Sequence, residues 1–389
     1  MTLATTHVQT VIDPDFVDRI AQRADETEQL RRLPDETIAE ARSSGLFELL
    51  LPARYGGTQA PFPAVLEPVR QLAHGCTSSA WTLGFYALHN WMIALFDEQA
   101  QDEIFSDGAV LAPAPLAPSG RGESADGGYR ITGRWSWATG VMHADWVIVG
   151  VLLGTGSSII PALAALPIGD VTVADVWHTA GMRGTGSNDV IVEDVFVPAH
   201  RIVGVPQVYA GTSPGAAVHG SDTYRWPIVS ALALTACMPV LGTAERVVDL
   251  FAARLGDRVL AYGGGAQKEQ PAAKMRLSEA TMRMAALSAL VFSVADEVQG
   301  AVSGGGAVDV KLRARARATA AHVVAESRAV IGDVLGAAGA SAHFLDNPLQ
   351  RARRDVDIVA GHAVFDYDIS RELDGALRVG AAISPIAMV

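Results

Sequence analysis

Several stretches of the chain have residue types and spacings that could do chemistry, and most lose that reading on closer inspection. Gly211-Thr-Ser-Pro-Gly215 has the Gly-x-Ser-x-Gly spacing of a serine nucleophile. Such a serine needs the backbone N–H of the next residue as an oxyanion donor, and Pro214 has none. Gly181-Met-Arg-Gly-Thr-Gly186 imitates a dinucleotide cradle, but a strand-like run, Asn188 to Val197, stands where a helix would have to start. With no Walker sequence either, no nicotinamide site is expected in the chain itself, and any electrons from NAD(P)H would have to arrive through another protein. His362, Asp366 and Asp368 are ligand types at an undiagnostic spacing, more commonly met as solvated helix residues, and no metal is expected. His89 lies in the aromatic stretch Phe85-Tyr-Ala-Leu-His-Asn-Trp91. A histidine titrating near neutrality can take a proton from a phenol or indole N–H, while a core histidine satisfied by a backbone carbonyl fits the same pattern.

The elements that must position these residues change period along the chain. From Asp13-Pro14, a helix-start signal, apolar residues recur at helical spacing (Phe16, Val17, Ile20, then Ile38, Ala41, Phe47), and Ser78 to Phe96 reads as a buried core helix. Between about Ala109 and Val205 the signal becomes short β-branched runs broken by turns such as Asp126-Gly-Gly128. Helical periodicity then returns over Trp226–Val259 (with a possible bend at Pro239), Lys274–Gln299 and Val310–Leu335. Gly263-Gly-Gly and Gly304-Gly-Gly fall between them as linkers. The expected fold is mainly α with an inserted β module: an N-terminal helical domain over 1–108, a central β-barrel or sandwich over 109–210, and a C-terminal four-helix bundle over 211–389.

Composition excludes several classes of function. The 389 residues carry a net charge of −12, which argues against nucleic acid as a partner. Cys76 and Cys237 are too few for a disulfide framework, so a reducing cytoplasm is the expected compartment. Met1 to Thr10 has neither the basic start nor the apolar stretch of a signal peptide, and no unbroken apolar run approaches a membrane span; no membrane role is expected.

The order of these zones, with a series of motifs, resembles the acyl-CoA dehydrogenase fold superfamily. The motifs are Leu51-Pro-Ala-Arg-Tyr-Gly-Gly57, Phe96-Asp-Glu-Gln-Ala-Gln101, Gly133-Arg-Trp-Ser-Trp-Ala-Thr-Gly140, Gly181-Met-Arg-Gly-Thr-Gly-Ser-Asn-Asp189 with Val195-Phe-Val-Pro198, Gly336-Ala-Ala-Gly339 and Arg354-Asp355. One class of those dehydrogenases carries its catalytic glutamate nine residues beyond the Arg of an Arg-Asp pair; counting nine from Arg354 reaches Ala363, which cannot abstract a proton. Ser119-Gly-Arg-Gly122 replaces their usual acidic loop. Pro348 to Val356 followed by His362, together with the Trp135 and Gly181 motifs, is similar instead to the flavin-dependent monooxygenases of this fold, the oxygenase halves of two-component hydroxylases.

That resemblance implies reduced flavin (FADH2 or FMNH2) and O2 as co-reactants, oxygen transfer through a flavin C4a-hydroperoxide, a separate NAD(P)H-flavin reductase, an aromatic or polycyclic small molecule as substrate, and a homotetramer. It implies that Trp137 lies against the flavin, that Thr139 offers a hydroxyl near N5, and that His362 makes a polar contact at the C4a/N5 edge. It places Phe85, His89 and Trp91 on the substrate side, with His89 as base. Arg258, Gly336, Gly339 and Arg354 fall at cofactor positions, although Arg354 suits ordinary ion pairing equally well. An acyl-CoA dehydrogenase or oxidase with a relocated base, and a non-catalytic flavin-binding protein of the same fold, are the alternatives.

Overall fold

The computed structural model describes residues 12–154, 159–257, 259, 265–384 and 387–389. Met1 to Thr10, Arg258 and most of the Gly263 linker therefore lie outside the described residues.

The N-terminal part begins with α1 (Pro14–Gln22), α2 (Ala24–Leu30) and α3 (Asp35–Ser43). Asp13 caps α1 by accepting from the Asp15 N–H, with Pro14 at the first helical position, so the start signal does what its chemistry predicts. There follow α4 (Leu66–Leu72), α5 (Thr77–Ile93) and α6 (Glu98–Ile104). Helix α5 is apolar on every side and correspondingly sunk in the core, with Phe85 alone half-exposed.

The middle of the chain supplies β1 (Gly120–Ala125), β2 (Gly128–Ala138), β3 (Trp146–Leu153), β4 (Ile160–Pro167), β5 (Thr172–Ala174), β6 (Asn188–Pro198) and β7 (Ile202–Gly204). The expected barrel or sandwich takes the form of one seven-stranded sheet, ordered β5-β6-β2-β1-β3-β4-β7. Its inward residues, among them Ile131, Trp135, Val149 and Val190, make a core of their own. The Gly181 motif leads into β6 and not into a helix, as the missing cradle requires.

Two short helices, α7 (Val205–Ala210) and α8 (Pro214–Val218), lead to the long ones: α9 (Ile228–Asp257), α10 (Pro271–Ser303) and α11 (Val310–Ala338), then α12 (Pro348–Val359) and α13 (Tyr367–Arg378). Helix α9 continues through Pro239 as a single helix. The Ser213 of the hydrolase-like pattern stands at the N-cap of α8, and a Cβ on Gly215 would strike the Ala94 carbonyl, so that loop is packing. Helix α11 packs against α9, α10, α12 and α13, while α5 packs against α4, α9 and the turn before β6. One helix thus reaches both the bundle and the sheet.

Candidate active site

Helix geometry builds the first part of the site. Trp81, Phe85 and His89 are spaced four apart on α5 and share one face. Trp81 meets Phe85 edge-on with centroids 4.6 Å apart, and Phe85 stacks on His89 at 5.4 Å with only 16° between planes. At the other end, His362 packs edge-on against Trp81 at 5.8 Å. Side chains from α5 and from the segment after α12 thus form one aromatic wall with a histidine at each end.

The hydrogen bonds of the two histidines fix their tautomers. His89 Nδ1 lies 2.6 Å from the Ala112 carbonyl, which can only accept, so Nδ1 carries the proton and Nε2 is an acceptor. His362 Nδ1 accepts from the Val364 N–H at 3.2 Å, capping the short turn Ala363–Phe365, so in its neutral form Nε2 is a donor. Burial pushes His89 down to about 4, below the near-neutral value expected of a base. Desolvation by the surrounding protein pushes His362 down as well, toward a neutral ring. Buried Arg317 on α11 holds the His362 turn from behind, donating to the Ala363 and Val364 carbonyls at 3.1 and 3.2 Å.

Asn90 pins the strand-bound segment next to His89: its amide donates to the Val110 carbonyl and its oxygen accepts the Val110 N–H. Trp91 does not join the wall. Two residues past His89 it points to the other side of α5, fully buried, with its indole donating to the Thr223 carbonyl at 2.7 Å and its ring against Phe62. Its placement corrects the substrate-side expectation, because on a helix a residue two positions on cannot share a face with His89.

The second part is the end of β2. Trp137 is 64% exposed and sits beside Trp177, centroids 6.4 Å apart. Thr139 begins a line of hydroxyls: its Oγ1 is 3.0 Å from Ser187, which is 2.7 Å from Thr185, which donates to the Met182 carbonyl at 2.9 Å. The Gly140 N–H also donates to the Thr185 carbonyl, and Tyr86 of α5 donates to the Gly140 carbonyl. The end of β2 is therefore tied to turn 182–187 on one side and to α5 on the other.

The expected phosphate residues divide. Gly336 lines a cavity of about 500 Å³ between α9, α10 and α11, together with Arg276, Arg283, Glu279 and Asp333, and Arg283 is ion-paired there with Asp333 and Glu326 at 2.9 Å each. Gly339, at φ 78, ends α11 in a backbone conformation that favours glycine. Arg254 donates to the adjacent Ala338 carbonyl. Arg354 spends its guanidinium on protein: Glu28 at 2.6 Å, Gln350 at 2.8 Å and the Ala180 carbonyl. Its neighbours do the same, Arg351 with Asp25 and Glu28 and Arg353 with Asp357. The Arg354 cofactor expectation thus gives way to the ion-pair alternative, since Glu28 on α2 is too distant in sequence to have been paired with it. Sequence reasoning missed Arg276 and Arg283, although their spacing of seven puts them on one helix face.

Flavin asks for a flat partner, donors at the ring edge and cations for phosphate; exposed Trp137, the Thr139 hydroxyl, His362 Nε2–H and Arg276 in the cavity match that donor set, while Arg283, like Arg354, is ion-paired within the protein. His362 and Asp366 cap the turn and α13, and among the described residues no three of His, Cys, Asp and Glu gather as metal ligands.

Comparison with known proteins bears on the family of the chain. The family model for the acyl-CoA dehydrogenase N-terminal domain matches residues 14–106, and that for the acyl-CoA dehydrogenase C-terminal domain matches residues 234–367. The chain is 35% identical to the flavin-dependent monooxygenase oxygenase subunit HsaA of Rhodococcus jostii, over 94% of this chain and 96% of that protein. It is 28% identical to the oxygenase component of the FADH2-dependent resorcinol hydroxylase of a Rhizobium species, over 98% of each. The structure of XiaF from Streptomyces in complex with FADH2 and glycerol superposes with a TM-score of 0.89 at 28% identity, covering 96% of this chain and 94% of that one. With its acyl-CoA dehydrogenase fold and its full-length match to HsaA, the chain belongs to the family of flavin-dependent monooxygenase oxygenase subunits.

Proposed function

We propose that this chain is the oxygenase component of a two-component hydroxylase that uses FADH2 and O2 to place one oxygen atom on a flat aromatic molecule bearing a hydroxyl or indole-type N–H. The observation that carries the reading is the Trp81–Phe85 wall ended by two histidines, one presenting an acceptor and the other a donor. Bound reduced flavin supplies the electrons that split O2, one atom going to the substrate and one to water.

The chain's residues supply the rest. Phe85 gives the substrate ring a stacking surface, and Trp81 and Phe85 keep water from the reacting edge. His362 Nε2–H donates toward the oxygen in transit. His89 Nε2 accepts from the substrate hydroxyl. A ring held at about 4 takes no proton from a resting phenol. As the substrate ring gives electron density to oxygen its hydroxyl acidifies, and a weak acceptor then suffices. Trp137 and Thr139 face the flavin ring, and Gly336 with Arg276, near the end of α11 at Gly339, receives the phosphates.

A separate NAD(P)H-flavin reductase provides FADH2, since the Gly181 turn runs into a strand and makes no nicotinamide cradle. Residence in the cytoplasm, with neither nucleic acid nor membrane as partner, belongs to the same proposal. So does a homotetramer. Helix α10 is long and apolar, yet its most apolar stretch is only 33% buried, and Met275 and Met282 are 70% and 66% exposed. The comparable stretch of α9 is 89% buried in the core. Lys274, Arg276 and Glu279 are exposed on α10 too, which suits another copy of the chain better than hydrocarbon.

The test loads the protein anaerobically with photoreduced FAD, admits ¹⁸O2 in the presence of phenols, indoles and polycyclic phenols, and measures label in the products. Labelled hydroxyl on an aromatic carbon is expected. Complete conversion of O2 to H2O2 with every compound would overturn the reading.

A further inference from the structure

Both backbone polar groups of one residue, Met182, are committed. It sits at φ 52, a left-handed conformation a non-glycine adopts only when held there. The N–H donates to Asp355 Oδ1 on α12 at 2.6 Å. The carbonyl accepts from Trp177 Nε1 at 2.8 Å and from Thr185 Oγ1 at 2.9 Å. Each of those donors leads to the proposed flavin face: Trp177 lies against Trp137, and Thr185 reaches Thr139 through Ser187.

Helix α12 grips the same turn twice more. Arg354 donates to the Ala180 carbonyl, and Gly181 lies so close to the Arg354 carbonyl that a Cβ would overlap it. Asp355 itself is only 4% exposed. Its cationic neighbours, Arg351 and Arg354, are already paired with Glu28. A carboxylate buried in this way is unfavourable for folding and needs a reason to be there. A small cavity between α1, α5, α9 and α12, lined by Cys76, Thr77, Thr243 and Asp355, borders it without offering a competing partner as close as Met182.

We propose that Asp355 is the positioning residue of the flavin face: by holding the Met182 backbone in its left-handed conformation it aims the Met182 carbonyl, and so sets the Trp137 ring and the Thr139 hydroxyl together. The inference rests on the reading that those two residues contact flavin. It explains a feature that scaffold packing leaves unexplained, since an apolar residue at 355 would fill the space without a buried charge. The two branches also differ in kind, one an indole held for stacking and one a chain of hydroxyls, and both are anchored on a single carbonyl.

The test uses the whole chain and three readouts: FAD affinity by equilibrium dialysis, hydrogen exchange at the Met182 amide without flavin, and Tm. Asp355→Ala is expected to weaken FAD by about 10-fold and to speed exchange at Met182. Asp355→Asn keeps an acceptor oxygen without the charge and should fall between. Thr185→Val cuts the hydroxyl branch and spares the carboxylate, so it reads the same route if Asp355→Ala does not fold. Trp137→Ala and Thr139→Val are the controls. Unchanged FAD affinity in the Asp355→Ala and Thr185→Val variants, whatever their Tm, while the controls lose affinity, makes Asp355 scaffold only and overturns the inference alone. Unchanged affinity in both controls overturns the flavin face and the inference with it.

Discussion

His89 and His362 end the same aromatic wall with opposite hydrogen-bonding sense, the first with Nδ1 donating to Ala112 and the second with Nδ1 accepting from Val364. Two neutral imidazoles thereby become different reagents. Backbone geometry alone decides which is which: a carbonyl can only accept and an amide N–H can only donate, so each leaves Nε2 with the complementary role. A hydroxylase needs both roles, a donor toward oxygen and an acceptor toward the substrate hydroxyl.

The two jobs of His362 come apart by substitution. Asparagine can still cap the Val364 N–H through its side-chain oxygen but cannot place a donor where Nε2–H stands. His362→Asn is expected to keep its stability while releasing more H2O2 per O2 consumed, whereas His362→Ala loses about 1 kcal/mol as well. Product and peroxide yields, with melting curves, check this. Full coupling in His362→Asn would remove the assigned role.

For His89 the informative change is to phenylalanine, which preserves the stack on Phe85. It leaves the Ala112 carbonyl unpaired in a buried place, at a cost of about 1–3 kcal/mol. Hydroxylation should fall by about 10²–10⁴ while O2 consumption with FADH2 continues. Rates of product formation and oxygen uptake, measured side by side, decide it.

The sequence made most of this framework legible, for reasons that differ from residue to residue. Helix α5 and the long bundle helices announced themselves by apolar runs, and Pro214 ruled out a hydrolase because a missing N–H is visible without coordinates. The Trp81-Phe85-His89 face is legible from its spacing of four, and the same helical phase turns Trp91, two residues past His89, to the opposite side despite its aromatic neighbours. Glu28 with Arg354, and Asp355 with Met182, join segments far apart in the chain, and no local pattern reports such pairings. Exposure of Trp137 on β2 was equally hidden, since a tryptophan in a strand reads first as core.

Acid should reveal opposing titrations. His89 is held at about 4 against an ordinary 6.5, so between those values the unfolded chain binds more protons and stability falls as pH drops; His362 acts in the same direction. Asp355 is pushed up to about 6 from 3.8 by burial, opposed by the Met182 N–H, Arg354 and Arg351 and assisted by Glu28 on α2, with the Cys76 thiol of α5 nearby. Here the folded chain binds more protons, so stability rises as pH drops from about 6 toward 3.8. His89→Phe should flatten the acid loss. Asp355→Asn should melt higher than the parent at pH 8, an advantage that shrinks toward about pH 4 as the native carboxyl becomes neutral. Denaturation across that range checks both signs, and an advantage that grows toward acid would contradict the second.

The exposed face of α10 makes an assembly prediction. Met275→Glu with Met282→Glu puts charges on a surface where neither side chain is buried within the chain, so the protomer fold should be unaffected. Sedimentation velocity is expected to show the assembly dissociating. An unchanged sedimentation coefficient would mean that another surface joins the copies.

Two glycines separate cofactor space from packing space. A Cβ on Gly336 meets nothing within 4 Å, although the residue lies inside α11 and lines the cavity with Arg276 and Arg283. Gly336→Ala should therefore raise stability by about 0.5–1 kcal/mol, by relieving the entropic cost of glycine in a helix, while weakening FAD if phosphate approaches that backbone. Gly181→Ala should do the reverse to stability, because its Cβ would overlap the Arg354 carbonyl and force turn 182–187 away from α12. Tm and FAD affinity measured on both variants distinguish the cases. Higher Tm with unchanged affinity in Gly336→Ala would move the phosphate away from the end of α11, and loss of both Tm and affinity in Gly181→Ala would show that the grip of α12 on the turn is felt at the flavin face.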